Sequence, residues 1–458
     1  MFKMSPVLCC LIVVSLCCAG QGTPKLSPAQ MKEDVAFLEG QLFRVHANPF
    51  TELSVTQYER LFDSITAQCS DSLSPVAFRK LIQPSLAYLS DEHAHMGMNV
   101  SVIAPYFGDR PLFLPFTLIK KNGLYYIDYR IPGYGQTYPA VALTQINGRS
   151  VASLIDRCAL YTYGFPDQRE ANALQDFGYL FGWSRTDTVP VCTLRFADGE
   201  SIVVRGTTFQ AWEDDKAARN PDGNLCSDHI TYHAYGSTGY IQACSFSVHS
   251  DAGMDSLRTK IADIFRQVRT DSVRSLVIDV SHNGGGNSEV GEAIIGYITA
   301  RPYRDYQCNW KRSDEYLKLM TSWGFHDAVY TNEHPGKVLH LEAGMIAPPH
   351  DLADRFKGKV YVLIGSGTFS SAIQFATVVK DNHIAVLAGE TPREGHPNHF
   401  GELYSVDLPQ SGIAVRFGVK EWIRPAGKTA KNILEPDIPV RLGPGYGPEA
   451  VIAEVERR

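Results

Sequence analysis

The sequence predicts a multidomain α/β and α+β protein: an N-terminal helical region, a small α+β module and a C-terminal α/β core. Three observations predict it. At 458 residues the chain is too long for one compact hydrophobic core. Between about residues 104 and 213 it reads as short strands that turn at Asn-Gly and Asp-Gly dipeptides. From about residue 228 to 445, apolar β-type runs alternate with helical patterns, the order that lays helices on the faces of a sheet.

Lys3, the apolar run Pro6–Leu16 and the small residues after it read as a signal peptide over residues 1–22. The run is too short to span a membrane, and no later stretch reaches that length. Cleavage after Ala19 or Gly22 would deliver an exported chain, periplasmic or secreted. Lipid anchoring through Cys17 or Cys18 is the alternative. A hydrophobic content of 44% with 20% charged residues is ordinary for a globular protein. The net charge of -6 leaves no basic footprint for nucleic acid. Beyond the signal, Cys69, Cys158, Cys192, Cys226, Cys244 and Cys308 are scattered without a CxxC pair, so no zinc site is predicted. Cys192 and Cys244 fall in strand-like runs and read as small buried apolar residues, while an oxidising compartment leaves room for one or two disulfides.

The helical region occupies residues 23–103. Ser27-Pro28 with Gln30 forms a capping-box pattern, after which Met31, Val35, Leu38 and Leu42 share a helical face. Ser74-Pro75 repeats the start signal, and Pro84 divides the segment that follows. In the α+β module, residues 104–213, Asn122-Gly123, Asn147-Gly148 and Asp198-Gly199 mark turns. The polar stretch 214–227 reads as a linker. In the core, Met254, Leu257, Ile261, Ile264, Phe265 and Val268 define one helical face. SLVIDV, KVYVLIG and IAVLAG are strands of the buried type, and residues 301–355 read as an insertion.

Three segments carry candidate chemistry. After KVYVLIG, a helix begins near Ser370, where free N–H groups and the positive end of the helix dipole favour a developing anion. A serine there is a nucleophile candidate, although Thr368, Ser370 or Ser371 as a plain helix cap fits equally simple rules. After SLVIDV, Asn283 to Gly286 lets the backbone approach another group closely. Glu289 stands where a dinucleotide fingerprint needs its third glycine, which argues against nucleotide binding. The third segment is Asp91-Glu92-His93-Ala94-His95. Its histidines suit a general base near neutral pH, or are simply an exposed pair at a helix end.

Taken in order, these motifs resemble the C-terminal processing and tricorn-core family of serine peptidases. SLVIDVSHNGGGNS is similar to its strand and glycine motif, and KVYVLIGSGTFSSAIQFATVVKD to its nucleophile strand, turn and helix. IAVLAGETP and LEPDIPV are similar to its closing segments, and VALTQINGRSVASLI to its PDZ domain. The resemblance implies a PDZ-like module, a core of the ClpP/crotonase-like type and a serine-type endopeptidase or carboxyl-terminal processing peptidase acting on peptides or proteins. It implies Ser370 as nucleophile, with an oxyanion hole from the N–H groups of Ser371 and of Gly285 or Gly286. No cofactor or metal is implied.

The chain departs from that pattern twice. No lysine base stands about 25 residues after the serine; the place falls near Gly395. The tricorn-like branch draws a histidine from an Asp-x-His context instead, which Asp91-Glu92-His93 matches. His93 is therefore the expected base, with His396 and His399 as rivals. Glu421 is the expected orienting acid, with Glu390 and Asp91 as alternatives. The family's arginine after the Asp of the glycine motif is also replaced, by Ser281 and His282. A catalytically silent carrier on the same fold is the competing reading.

Overall fold

Capping chemistry and turn dipeptides place the first elements where the sequence predicts them. The computed structural model describes residues 25–134, 137–219, 229–349, 352–393, 395–443 and 447–457. The expected signal peptide and Cys226 lie outside the described residues. Ser27 and Gln30 close the capping box of helix Pro28–Val45, whose Met31, Val35, Leu38 and Leu42 are buried. Helix Pro75–Ile82 gives way at Pro84 to a 3-10 turn, Gln83–Leu89, because proline cannot continue the α-helical hydrogen bonds. That turn ends on Ser90 in a left-handed conformation, which redirects the chain into the segment Asp91–Gly97.

Within the stretch from residue 104 to 213, Phe116, Leu154, Phe177, Leu194 and Phe196 share one core, whereas Phe107, Phe113 and Trp212 pack with Val76 and Ile103 of the helical region. Strands Phe116–Lys121 and Leu124–Arg130 pair across Asn122-Gly123, both at positive φ, as a tight hairpin of that length demands. Leu143–Ile146, Arg149–Ser150, Val191–Phe196 and Ser201–Arg205 form a second, four-stranded sheet. The polar stretch expected as a linker from residue 214 is helical as far as Arg219, within helix Phe209–Arg219, because Phe209, Trp212 and Asp215 are buried. Its remainder lies outside the described residues.

The core sheet runs in the order Ile438–Pro439, Val386–Gly389, Lys359–Ile364, Ser275–Asp279, Thr238–Ala243, Ile230–Tyr235. All neighbours are parallel except the last two, which form a hairpin. Helix Asp251–Thr270 buries the six apolar residues that its periodicity marks. With helices Ser288–Ile298 and Ser371–Asp381 it covers one face of the sheet. Leu276 to Val280 are buried in succession, as expected of a parallel strand covered on both faces. Cys244 is disulfide-bonded, which corrects its expected role as a small apolar filler; Cys192 is free and buried.

Part of the stretch expected as an insertion is built into a second, antiparallel sheet. There Ala414–Ile423 pairs with His95–Gly97, Gln307–Lys311 and His399–Asp407. Gln307–Lys311 pairs in turn with Val338–Leu341. The N-terminal helices bury Met31, Leu38 and Phe62 against Val415, Phe417 and Val419 of this sheet. The histidine segment is thereby fixed to the sheet edge.

Candidate active site

Two turns at the carboxyl ends of adjacent parallel strands are stitched together. Asp279 ends its strand by accepting the Tyr240 hydroxyl at 2.7 Å and the Ser281 N–H at 2.8 Å. Asn283 accepts the Gly285 N–H at 2.8 Å and donates to the Ala243 carbonyl at 2.9 Å. On the neighbouring turn, the Thr368 hydroxyl donates to the Val280 carbonyl at 2.8 Å and accepts the Gly365 N–H at 2.9 Å. The Gly367 N–H donates to Ser281 at 3.0 Å and the Phe369 N–H to Asn283 at 2.9 Å. Gly285, at φ +93, lies so close that a Cβ there would sit 2.6 Å from Ser370 Cβ. Only glycine fits.

Ser370 precedes helix Ser371–Asp381 with φ 53 and ψ -125, a conformation that costs a non-glycine residue about 1–3 kcal/mol. Its side chain caps nothing in the helix. Thr368 serves the turn, and the buried Ser371 hydroxyl has no partner, so none of the three hydroxyls is the helix cap. Ser370 Oγ instead lies 3.1 Å from His93 Nε2. The two residues are 277 positions apart in sequence.

His93 is buried, and its ring centroid lies 4.7 Å from that of Phe369. Asp91, fully buried, accepts the His93 backbone N–H at 2.8 Å and the Gly418 N–H at 2.7 Å. Its Oδ1 stands 4.0 Å from His93 Nδ1, and its Oδ2 3.4 Å from His46 Nε2. Burial alone would raise the Asp91 carboxyl, but His46, His93 and the Gly418 N–H together hold it below the ordinary range. A buried anion therefore lies beside the imidazole. His46 carried no sequence signal: it is one histidine at the end of a helix.

The other histidines have different surroundings. His399 is buried, with Nδ1 against the His396 and Pro397 carbonyls at 3.1 Å and Nε2 3.3 Å from Gln374. Burial and the nearby His93 push its pKa down to about 4. His396 is held between Glu92 and Asp167, the latter at 3.2 Å. Burial works against its charge, but the bonds to the two carboxylates prevail and raise it to about 9. The place of the missing lysine is taken by backbone: the Gly395 and His396 N–H groups donate to Glu92. His95 is exposed and packs its ring near Tyr163, away from His93's contacts.

Glu421 is not brought to His93. It lies on the antiparallel sheet, bonded to Asn309 at 2.8 Å and to Lys428. Glu390 accepts the Leu442 N–H at 2.9 Å. Of the three acids considered from sequence, Asp91 is the one in the histidine's surroundings. Gly285 and Gly286 also differ: the Gly285 N–H is taken by Asn283, whereas the Gly286 and Ser371 N–H groups have no acceptor among the described residues. His93, Ser370, Ser371, Gly285, Gly286 and His399 all line one cavity of about 490 Å³. No lysine lines it among the described residues.

With this geometry in view, residues 237–440 match the family model described as peptidase family S41. That segment belongs to peptidase family S41. The match supports a serine-type peptidase. The S41 segment contains the core strands that carry both stitched turns, while His93 lies outside it. No functionally curated protein matches the sequence. Among solved structures, mature CPAF is similar at 17% identity over 90% of this chain and 92% of that one, with a TM-score of 0.55. CPAF complexed with lactacystin is similar at 18% identity over 90% of this chain and 94% of that one, with a TM-score of 0.54. At such identities the likeness is one of fold. The share of the chain covered extends well beyond the S41 segment.

Proposed function

We propose that the chain is an exported serine peptidase in which Ser370 is the nucleophile and His93 the general base. The single observation that carries this reading is the 3.1 Å approach of His93 Nε2 to a Ser370 hydroxyl that caps nothing. His93 takes the hydroxyl proton as Oγ attacks the substrate carbonyl carbon. The oxyanion rests on the N–H groups of Ser371 and Gly286, two donors from separate chain segments. Collapse breaks the peptide bond, His93 protonates the departing amine, and an acyl-enzyme remains on Ser370. Water, deprotonated by His93, then releases the acid. Asp91, a buried anion 4.0 Å from Nδ1, stabilises the imidazolium formed in each half of the cycle. This replaces Glu421 as the orienting acid.

The α+β module over 104–213 is read as PDZ-like, suited to adding a peptide terminus as an extra strand. The apolar leader over 1–22 supports export. Labelling with a fluorophosphonate probe tests the reading directly. The native chain should label on Ser370, and His93→Ala should label at least a hundredfold more slowly. An unlabelled native chain that binds an apolar ligand would overturn the peptidase reading in favour of a carrier.

A further inference from the structure

A second, narrower cavity of about 170 Å³ opens beside the nucleophile. It shares Ser288, Ser371, Gln374 and Trp422 with the cavity that holds Ser370. Ile295, Phe375 and Val378 supply apolar walls, and Glu292 and Asp305 supply two carboxylates. Ser371, the residue after the nucleophile, is 5% exposed, and its hydroxyl on this wall has no hydrogen-bond partner. A buried polar atom left unpaired in this way is rare in a folded protein and calls for a partner that the described residues do not supply.

The two carboxylates lack a matching cation. Among the described residues no lysine or arginine makes an ion pair with either. Arg258, which acts on Glu292 from a distance, is engaged with Asp255 at 3.3 Å and Glu289 at 2.5 Å. Burial, then the charges of Asp305 and Glu289, raises the Glu292 carboxyl, and burial raises Asp305. Apolar walls around uncompensated acids are unfavourable until a cation enters. Glu292 also borders a wider cleft of about 810 Å³, so Asp305 is the acid confined to the narrow cavity.

We propose that this cavity receives the substrate side chain on the amino side of the cut bond, and that Glu292 and Asp305 select lysine or arginine there. The stem of such a side chain would lie along Phe375 and Val378, and its charged head would meet the two carboxylates. This rests on the peptidase reading of Ser370. It adds a substrate class to that reading.

The test uses the full chain and matched peptides that differ only at the residue before the cut: Lys, Arg, Leu or Phe. The basic peptides should be cleaved with at least tenfold higher kcat/KM. Glu292→Gln with Asp305→Asn should lower the basic-to-apolar ratio at least tenfold. Glu292→Lys should move the preference toward an acidic residue, a gain that a misfolded variant could not show. Fluorophosphonate labelling of Ser370 in the native chain separates the two failures. Labelling without any basic preference, or an unmoved ratio in the double variant, overturns the pocket assignment alone. Absence of labelling overturns the peptidase reading and the pocket together.

Discussion

The segment Asp91–Gly97 and the loop Gly395–His399 both deliver histidines to one neighbourhood, yet they treat them in opposite ways. His93 sits beside a buried anion with Nε2 on Ser370. His396 is bonded on both ring nitrogens to carboxylates and is raised to about 9, so near neutral pH it holds its proton and cannot take another. His399 is pushed down to about 4 and turns its nitrogens toward backbone carbonyls and Gln374. Closeness to the nucleophile therefore does not make a base. A ring nitrogen must face the serine, and the rest of the ring must be able to carry a charge once it forms.

The comparison breaks first at His93. His93→Ala should reduce kcat/KM about a thousandfold or more, matching Ser370→Ala, and the double variant should lose little beyond either alone. An additive loss in steady-state kinetics would mean that the two do not act as a unit. Next, Asp91→Asn should lower kcat by about a hundredfold or more, whereas Glu421→Gln should change it less than threefold. Equal losses would return Glu421 to the site.

His396→Ala should spare most of the chemistry but cost about 1–3 kcal/mol of stability, because it removes bonds between a charged imidazolium and two carboxylates. The sign of its pH dependence follows from the raised pKa. The stabilisation is complete below the unfolded value near 6.5 and is lost as pH rises through about 9. Urea midpoints should fall between pH 7 and 10 in the native chain and stay flatter in the variant. His399 has the opposite sign. Its depressed pKa gives stability that is present above about 6.5 and lost as pH falls through about 4. His399→Gln should flatten that acid limb, with the smallest effect on turnover of the set.

How much of this was legible beforehand depended on distance along the chain. Ser27 and Gln30, the Asn122-Gly123 turn and the apolar face of Asp251–Thr270 are local features, and they stand where the sequence places them. The two stitched turns were visible as separate motifs, but not the hydrogen bonds that bind Thr368 to Val280 and Phe369 to Asn283. The segment 301–355 reads as an insertion in sequence because the pairing of Gln307–Lys311 with Ala414–Ile423 spans a hundred or so residues and leaves no local trace. Nothing in the sequence around Glu421 signals where its strand turns its side chain, so it cannot be told there from Asp91 or Glu390 as the orienting acid. His46 could not have been singled out, since its only distinction is the buried carboxylate across from it.

The backbone at Ser370 has a consequence for how such a protein can change. With φ at 53, that position would be more comfortable as glycine. Ser370→Gly should therefore yield a chain that melts at a higher temperature and cleaves nothing. A drift toward robustness would erase the hydroxyl, and only selection for turnover retains it. An inactive descendant of this chain would be expected to carry glycine at residue 370, with the surrounding turns intact.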